Sequence, residues 1–130
     1  MACLDTTFLV DLLRGKSEIH GLKDELDRHE ETLAVATPSI MELWLGACMA
    51  KASNEEKEKI NELIQSLEIF DLDEKSAKDA GEIEAELMRK NQAIDTEDIM
   101  IAAIARAHGE KVITRDKHYA KILGLKVLKY

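Results

Sequence analysis

Short apolar segments alternate with longer segments of helical pattern along nearly the whole chain. Each apolar segment is short enough to be a buried strand, and together they cover 1–4, 32–36, 68–72, 112–114 and 126–128. Between them, apolar residues recur at the three- and four-residue spacing of an amphipathic helix. Strands that alternate with helices favour an α/β fold whose mainly parallel sheet is covered on both faces. We therefore expect a three-layer α/β/α domain with a mainly parallel sheet of roughly five strands.

Length and composition predict a single domain over 1–130. The 130 residues match the commonest domain size, and 45% hydrophobic with 34% charged residues is typical of a globular protein. The sequence contains no internal repeat or linker. No apolar run approaches the roughly 20 residues that cross a bilayer, and the first segment lacks the basic lead-in of a signal peptide. We expect a cytoplasmic protein with no membrane partner.

Several helix starts can be predicted from capping residues. Thr37 followed by Pro38 is typical of a helix start, with Thr37 as the N-cap. Ser53 or Asn54 is the expected cap of the following helix. A charged helix is expected over 18–30, between the first two apolar segments.

Four acidic residues stand at predicted strand ends or helix starts: Asp5, Glu42, Asp98 and Asp116. In parallel α/β folds, ligands gather outside the carboxyl ends of the strands, so all four can converge at one edge of the sheet. Acids that lose water on folding repel one another unless a cation or hydrogen-bond donors compensate. Hard divalent cations prefer oxygen ligands, so the pattern predicts a site for Mg²⁺ or Mn²⁺.

Each acid also has a purely structural explanation. Asp5 and Asp116 can cap the helices that follow them, and Glu42 can complement a helix dipole. Asp98 can be the third residue of a helix capped by Asp95. Apolar and small residues one helical turn after Glu42 predict that its carboxylate is partly buried. Four such acids at four edge positions of one sheet nevertheless favour a common site.

The net charge of −8 argues against a nucleic-acid partner, but its distribution weakens that argument. Residues 106–130 carry seven basic and two acidic residues, a net +5. This basic end can contact phosphates, or it can be an ordinary solvated face. Arg115 and Lys117 flank Asp116 and are the candidates for a phosphate contact.

Three motifs resemble those of PIN-domain ribonucleases, and closely those of the VapC-type toxins of toxin–antitoxin pairs. The motifs span nearly the whole chain and read LDTTFLVDLLRG, TPSIMELWLGA and DTEDIMIAAIARAHGEKVITRDKHYAKILGLKVL. The resemblance implies that the acidic site consists of Asp5, Glu42, Asp98 and Asp116. It also implies that the hydroxyl groups of Thr6 and Thr114 hydrogen-bond the acids or water.

The activity implied by the resemblance is metal-dependent endonucleolytic cleavage of RNA by an activated water. Asp5 and Asp98 would be the core metal ligands, Glu42 would bind metal or orient the water, and Asp116 would complete the site. Family members usually form homodimers and are blocked by an antitoxin that covers or enters the acidic site. The apolar residues near Glu42 are candidates for antitoxin contacts or for core packing: Trp44, Leu45 and Met49.

Other functions are compatible with parts of the pattern. A PIN nuclease of RNA processing or decay, without an antitoxin, would carry the same acids. A receiver-like signalling module also binds magnesium at a sheet edge, but it needs a lysine on a late strand. Lys126 fits that position poorly, and Glu42 would have no role. A binding module without catalysis is disfavoured because all four acids are present.

Overall fold

A five-stranded parallel sheet forms the centre of the protein. In this computed structural model, residues 1–29 and 31–130 are described. The strands are β1 (Ala2–Leu4), β2 (Leu33–Ala36), β3 (Glu68–Phe70), β4 (Lys111–Thr114) and β5 (Val127–Lys129). Their order in the sheet is β3-β2-β1-β4-β5, and every neighbouring pair runs parallel. The predicted sheet is therefore confirmed.

Six α-helices connect these strands within the described part of the chain. They are α1 (Thr6–Leu13), α2 (Ser17–Arg28), α3 (Thr37–Met49), α4 (Ser53–Gln65), α5 (Glu74–Arg89) and α6 (Thr96–Ala107). A 3₁₀ helix, Lys117–Lys121, lies between β4 and β5. The helix expected over 18–30 begins one residue earlier, and Glu30 lies outside the described residues. Across 1–29 and 31–130, every helix is too short or too polar to cross a membrane.

Helices cover both faces of the sheet, as an α/β/α domain requires. On one face α5 and α6 pack against strand residues such as Cys3 and Val112. On the other face α1 to α4 pack against their neighbours in the strands, such as Leu4 and Ile113. Because successive strand residues point to opposite faces and both faces are buried, β1 and β2 are apolar throughout, and β4 is apolar between Lys111 and Thr114. This explains why they appear in the sequence as continuous apolar runs.

Two predicted helix caps were wrong. The hydroxyl of Thr37 does not cap α3. It accepts a hydrogen bond of 3.1 Å from the backbone N–H of Leu72, and so holds the chain just after β3. The N-cap of α3 is Ala36, which offers no side-chain hydrogen bond. Neither Ser53 nor Asn54 caps α4, because both lie within that helix, and its N-cap is Ala52.

Helix α6 is the most deeply buried of the described helices, and its last turn is held by hydrogen bonds. Its residues 101–105 are fully buried against the sheet and α5. In its last turn, Arg106 donates to both carboxylate oxygens of Asp79 on α5, at 2.6 and 3.2 Å. The same guanidinium donates to the carbonyl of Leu123 at 2.7 Å. Burial and this paired contact together hold the first turn of α6, which carries Asp98, in a fixed place.

Shortening a core side chain of α6 should destabilise the whole domain. Ile104→Ala removes three carbon atoms from a fully buried side chain, and such changes cost about 2–5 kcal/mol of unfolding free energy. Met88→Ala is the matched control, because Met88 on α5 is 62% exposed. Urea denaturation followed by circular dichroism measures both. Equal stability of the two variants would contradict the central position of α6.

Candidate active site

The sheet changes its winding direction between β1 and β4. From β1 the chain builds outward through β2 to β3, whereas β4 adds to the opposite side of β1. Asp5 follows β1 directly, Thr114 ends β4, and Asp116 comes two residues later. Crevices of this kind, outside the carboxyl ends of parallel strands, are the usual ligand sites of α/β sheets. The first and last predicted acids therefore meet at the expected position.

Asp5 is the most deeply buried of the four predicted acids, with 2% of its surface exposed. Its Oδ1 accepts from the backbone N–H of Phe8 at 2.9 Å, so the capping explanation is correct for this residue. Its Oδ2 accepts from the hydroxyl of Thr114 at 2.5 Å. Burial raises the pKa of Asp5, the two hydrogen bonds lower it, and the charge of Asp116 raises it further. Asp5 thus connects β1, α1 and β4, and the charge of Asp116 acts on its carboxylate.

Asp98 lies in the first turn of α6 and is half-buried. Its Oδ1 accepts from the hydroxyl of Tyr119 at 3.2 Å. Burial raises the pKa of Asp98 to about 6, and the nearby charges of Asp116, Asp95 and Asp5 add to the increase. Three of the four predicted acids are therefore close enough to repel one another. Asp95 forms no side-chain cap on α6, so capping does not explain this acidic segment.

Glu42 is exposed, contrary to the expectation of partial burial. The small and apolar residues one turn after it face solvent too, so they do not cover its carboxylate. Its partner is Glu97, whose pKa rises to about 8 through burial and through the hydrogen bond and charge of Glu42. Burial and the nearby carboxyl group of Glu42 therefore favour the protonated form of Glu97. Glu97 was not predicted, although its position beside Asp98 in the sequence DTED was the available signal.

The predicted hydroxyl groups have different partners. Thr114 is fully buried, donates to Asp5, and accepts from the backbone N–H of Asp116 at 2.9 Å. Thr6 contacts none of the four predicted acids among its described hydrogen bonds. It bonds the hydroxyl of Ser39 at 2.9 Å and donates to Glu97 at 3.4 Å. Both threonines therefore bridge separate elements at the acidic edge.

Asp116 both caps a helix and faces the other acids. Its Oδ1 accepts from the backbone N–H of His118 at 2.9 Å, so the capping explanation holds for the 3₁₀ helix. The imidazole Nδ1 of His118 lies 3.0 Å from the same oxygen. Tyr119, the next residue, is fully buried and reaches back to Asp98. No sequence pattern identified Tyr119 as part of the site, because it resembles an ordinary core aromatic residue.

The acids open onto a cavity of about 300 Å³ at the edge of the sheet. Glu42, Asp98 and Asp116 line it, whereas Asp5 is buried and Lys117 lies outside the lining. The remaining lining residues are Thr6, Thr7, Val10, Asp11, Arg14, Asp95, Glu97 and Arg115. Within 1–29 and 31–130, no group of three or more His, Cys, Asp or Glu side chains is placed so that it could hold a metal ion by itself.

The donor set nevertheless fits a hard divalent cation. The acids at the cavity supply carboxylate oxygens only. Burial raises the pKa values of Asp5 and Asp98, and the charges of neighbouring acids raise them further. A cation between them would offset that repulsion. Magnesium keeps several water ligands and is usually bound by only one or two carboxylates, so an open cavity with few direct ligands suits it.

Removing the hydroxyl of Thr114 should destabilise the protein. Thr114→Val keeps the side-chain shape but leaves the carboxylate of Asp5 and the N–H of Asp116 without their partner, which costs about 1–3 kcal/mol of unfolding free energy. Thr114→Ser keeps the hydroxyl and is the control. Urea denaturation distinguishes them, and a valine variant as stable as the serine variant would contradict this account.

Several known proteins are similar to this chain in sequence and in fold. The sequence profile of the PIN domain matches residues 2–124. The tRNA(fMet)-specific endonuclease VapC of Salmonella typhimurium is 27% identical over 125 residues, which cover 95% of this chain and 93% of that protein. Ribonuclease VapC2 of Rickettsia felis is 27% identical over 123 residues, covering 94% and 92%. A crystal structure of DNA-bound VapBC from Salmonella typhimurium superposes with a TM-score of 0.90, at 26% identity over 98% of this chain and 96% of that one.

These matches confirm the resemblance to PIN-domain ribonucleases and VapC toxins that the three motifs indicate. Both named relatives are nucleases, which confirms the expectation of an enzyme of that class. The family profile begins at β1 and ends beyond the 3₁₀ helix, so it includes every residue of the acidic edge described above. The chain belongs to the PIN domain family.

Proposed function

We propose that this protein is a divalent-metal-dependent endoribonuclease of the VapC type, the toxin of a toxin–antitoxin pair. The observation that carries the proposal is the convergence of Asp5, Asp98 and Asp116 where β1 and β4 meet. Glu42 reaches the same cavity from α3. The relatives named as VapC nucleases support the choice of RNA as substrate.

Mg²⁺ or Mn²⁺ is the proposed cofactor. Such an ion lowers the pKa of a water molecule and offsets the charge that develops on a phosphodiester. Asp98 and Asp5 would hold it, and Asp116 would complete the set. Asp5 is held rigidly by its bonds to Thr114 and Phe8, so it contributes a fixed negative charge next to the cavity.

Glu42 and Glu97 are proposed to take part in proton transfer from the attacking water. Burial and the adjacent carboxyl group of Glu42 disfavour the ionised form of Glu97. The exposed carboxylate of Glu42 can orient or deprotonate a water at the cavity. Thr6 fixes Glu97 through its hydroxyl, which gives that predicted threonine a supporting role.

Phosphate binding is assigned to the basic residues at the cavity. Arg115 lines the cavity beside Asp116, and Arg14 lines it from the end of α1. Lys117 is exposed just outside the lining and is proposed to contact phosphates farther along the RNA. Counter-charges of this kind let a chain of net charge −8 approach a polyanion.

An antitoxin is the proposed protein partner, and a homodimer in the cytoplasm is the proposed state of the chain. Met41, Leu45 and Met49 lie four residues apart on α3 and form a stripe that is 57–80% exposed. This apolar stripe adjoins Glu42 and the cavity, so a partner that covers it would also cover the acids. Trp44, by contrast, is half-buried in the core, as the packing explanation predicts.

Neutralising the central acids should abolish RNA cleavage. We expect Asp5→Asn and Asp98→Asn each to lower cleavage of a labelled RNA by at least about tenfold to a hundredfold, since both would remove a group that holds the metal. Cleavage is measured with Mg²⁺ or Mn²⁺ and compared with EDTA. Asp24→Asn, on the exposed surface of α2, is the matched control and should cleave normally.

The same experiment tests the assignment within the acidic segment. Asp95→Asn should retain far more activity than Asp98→Asn, because the hydrogen bond with Tyr119 fixes only Asp98. Unchanged cleavage in both Asp5→Asn and Asp98→Asn would rule out the proposed metal site. Equal activity with EDTA and with Mn²⁺ would rule out metal dependence.

Metal binding should also be visible in thermal stability. In EDTA, Asp98→Asn should melt at a higher temperature than the unaltered protein, because the raised pKa of Asp98 shows that its charge is unfavourable in the fold. The asparagine retains an oxygen that can accept from Tyr119. Added Mn²⁺ should raise the melting temperature of the unaltered protein and affect the variant much less. Equal shifts in both proteins would place the ion elsewhere.

A further inference from the structure

Asp11 is a buried acid that the proposed mechanism does not use. It lies in α1, and only 2% of its surface is exposed. The ammonium group of Lys16 lies 3.1 Å from its Oδ1, and the guanidinium Nη2 of Arg115 lies 3.4 Å from its Oδ2. A buried carboxylate without a cation is strongly destabilising, so these two pairs account for its presence. Arg115 is therefore tied to the body of the domain.

Both residues of this contact line the cavity, and Arg115 is the more exposed of the two. Arg115 stands between Thr114 and Asp116, and its side chain is half exposed and lines the same cavity as Asp98. Its charge lowers the pKa of Asp5, so the guanidinium acts on the acidic edge. Arginine has five N–H donors, and the contact of one Nη2 with Asp11 leaves others available to a ligand.

The surroundings of the pair exclude water on one side. The ring of Tyr130 packs edge-on against Phe8, with ring centroids 5.1 Å apart. The hydroxyl of Tyr130 and the Oδ2 of Asp11 are both buried and without a hydrogen-bond partner among the described residues. The charges of Asp5 and Asp11 raise the pKa of Tyr130, as does its burial, so it lies near both acids. An ion pair in such a place is screened less than a surface pair.

We propose that Asp11 is a positioning residue that holds Arg115 at the mouth of the cavity, with free N–H donors directed at a backbone phosphate of the RNA. The inference rests on the proposed function, because it assigns a role in binding that substrate. Asp11 also lines the cavity, but its carboxylate is buried against Lys16 and Arg115, so in this proposal it acts through Arg115 and not by contact with the RNA. An arginine that is held in place loses less side-chain entropy when it binds a phosphate than a freely moving one.

A double-mutant cycle tests this coupling. The variants are Asp11→Asn, Arg115→Ala and the two combined, and kcat and KM are measured for a labelled RNA in Mn²⁺. Each single change should raise KM by about threefold to tenfold, the size expected of one charged contact, with a smaller change in kcat. The combined variant should match Arg115→Ala alone, because Asp11 acts only through Arg115.

Lys16→Met is the matched control. It removes the other cation from Asp11 but leaves Arg115 in place, and Lys16 lies outside the lining of the cavity. It should lower thermal stability and leave KM unchanged. A rise in KM equal to that of Asp11→Asn would make the effect of Asp11 a general loss of structure. Additive effects of Asp11→Asn and Arg115→Ala would overturn the inference.

Arg115→Lys gives an independent test if Asp11→Asn does not fold. A lysine has one compact charged group and cannot contact Asp11 and a phosphate in the geometry of a guanidinium, so its KM should be close to that of Arg115→Ala. Restoration of the unaltered KM by lysine would overturn the inference. If the unaltered protein does not cleave RNA, the proposed function fails. The cycle is then measured as the affinity for labelled RNA by fluorescence anisotropy. Additive effects of Asp11→Asn and Arg115→Ala on that affinity would again overturn the inference.

Discussion

The parallel pairing of β1 with β4 is the constraint on which the site depends. It brings the end of the first strand beside the end of the fourth, so that Thr114 can donate to Asp5. The carboxylate of Asp5 also caps α1. The hydroxyl of Thr114 also accepts a hydrogen bond from the backbone N–H of Asp116. This pair of buried side chains thus links the start of α1, the ends of the two central strands and the backbone of the last acid.

Much of the fold follows from patterns that act over short distances. Strands buried on both faces must be apolar, and helices that cover them must be amphipathic, so the alternation of the two is visible in the sequence. The convergence of Asp5, Asp98 and Asp116 follows from the rule that parallel strands end at one edge. The structure agrees with the predicted sheet and with the meeting of these acids.

The features that could not be predicted from the sequence depend on side chains brought together from distant segments. The pKa of Glu97 is raised by its burial and by the approach of Glu42, and Tyr119 reaches Asp98 only after the chain has turned through the 3₁₀ helix. Thr37 is of a residue type that commonly caps helices, but its hydroxyl accepts a hydrogen bond from the chain after β3. Glu42 was expected to be partly covered, but its helical neighbours are exposed with it. For Glu97, Tyr119 and Thr37 a contact between distant segments decides the outcome, whereas Glu42 lies on an exposed part of α3.

The contact between Asp5 and Thr114 joins residues 109 positions apart in the chain. During synthesis the first strand and its acid emerge early, but β1 gains its β4 neighbour only after most of the chain has left the ribosome. Contacts of such long sequence separation form late, since the intervening loop must first be closed. An incomplete chain therefore carries Asp5 and Glu42 without the second half of the acidic edge. For the proposed ribonuclease activity, this order of assembly would delay the appearance of activity until translation of the domain is nearly finished.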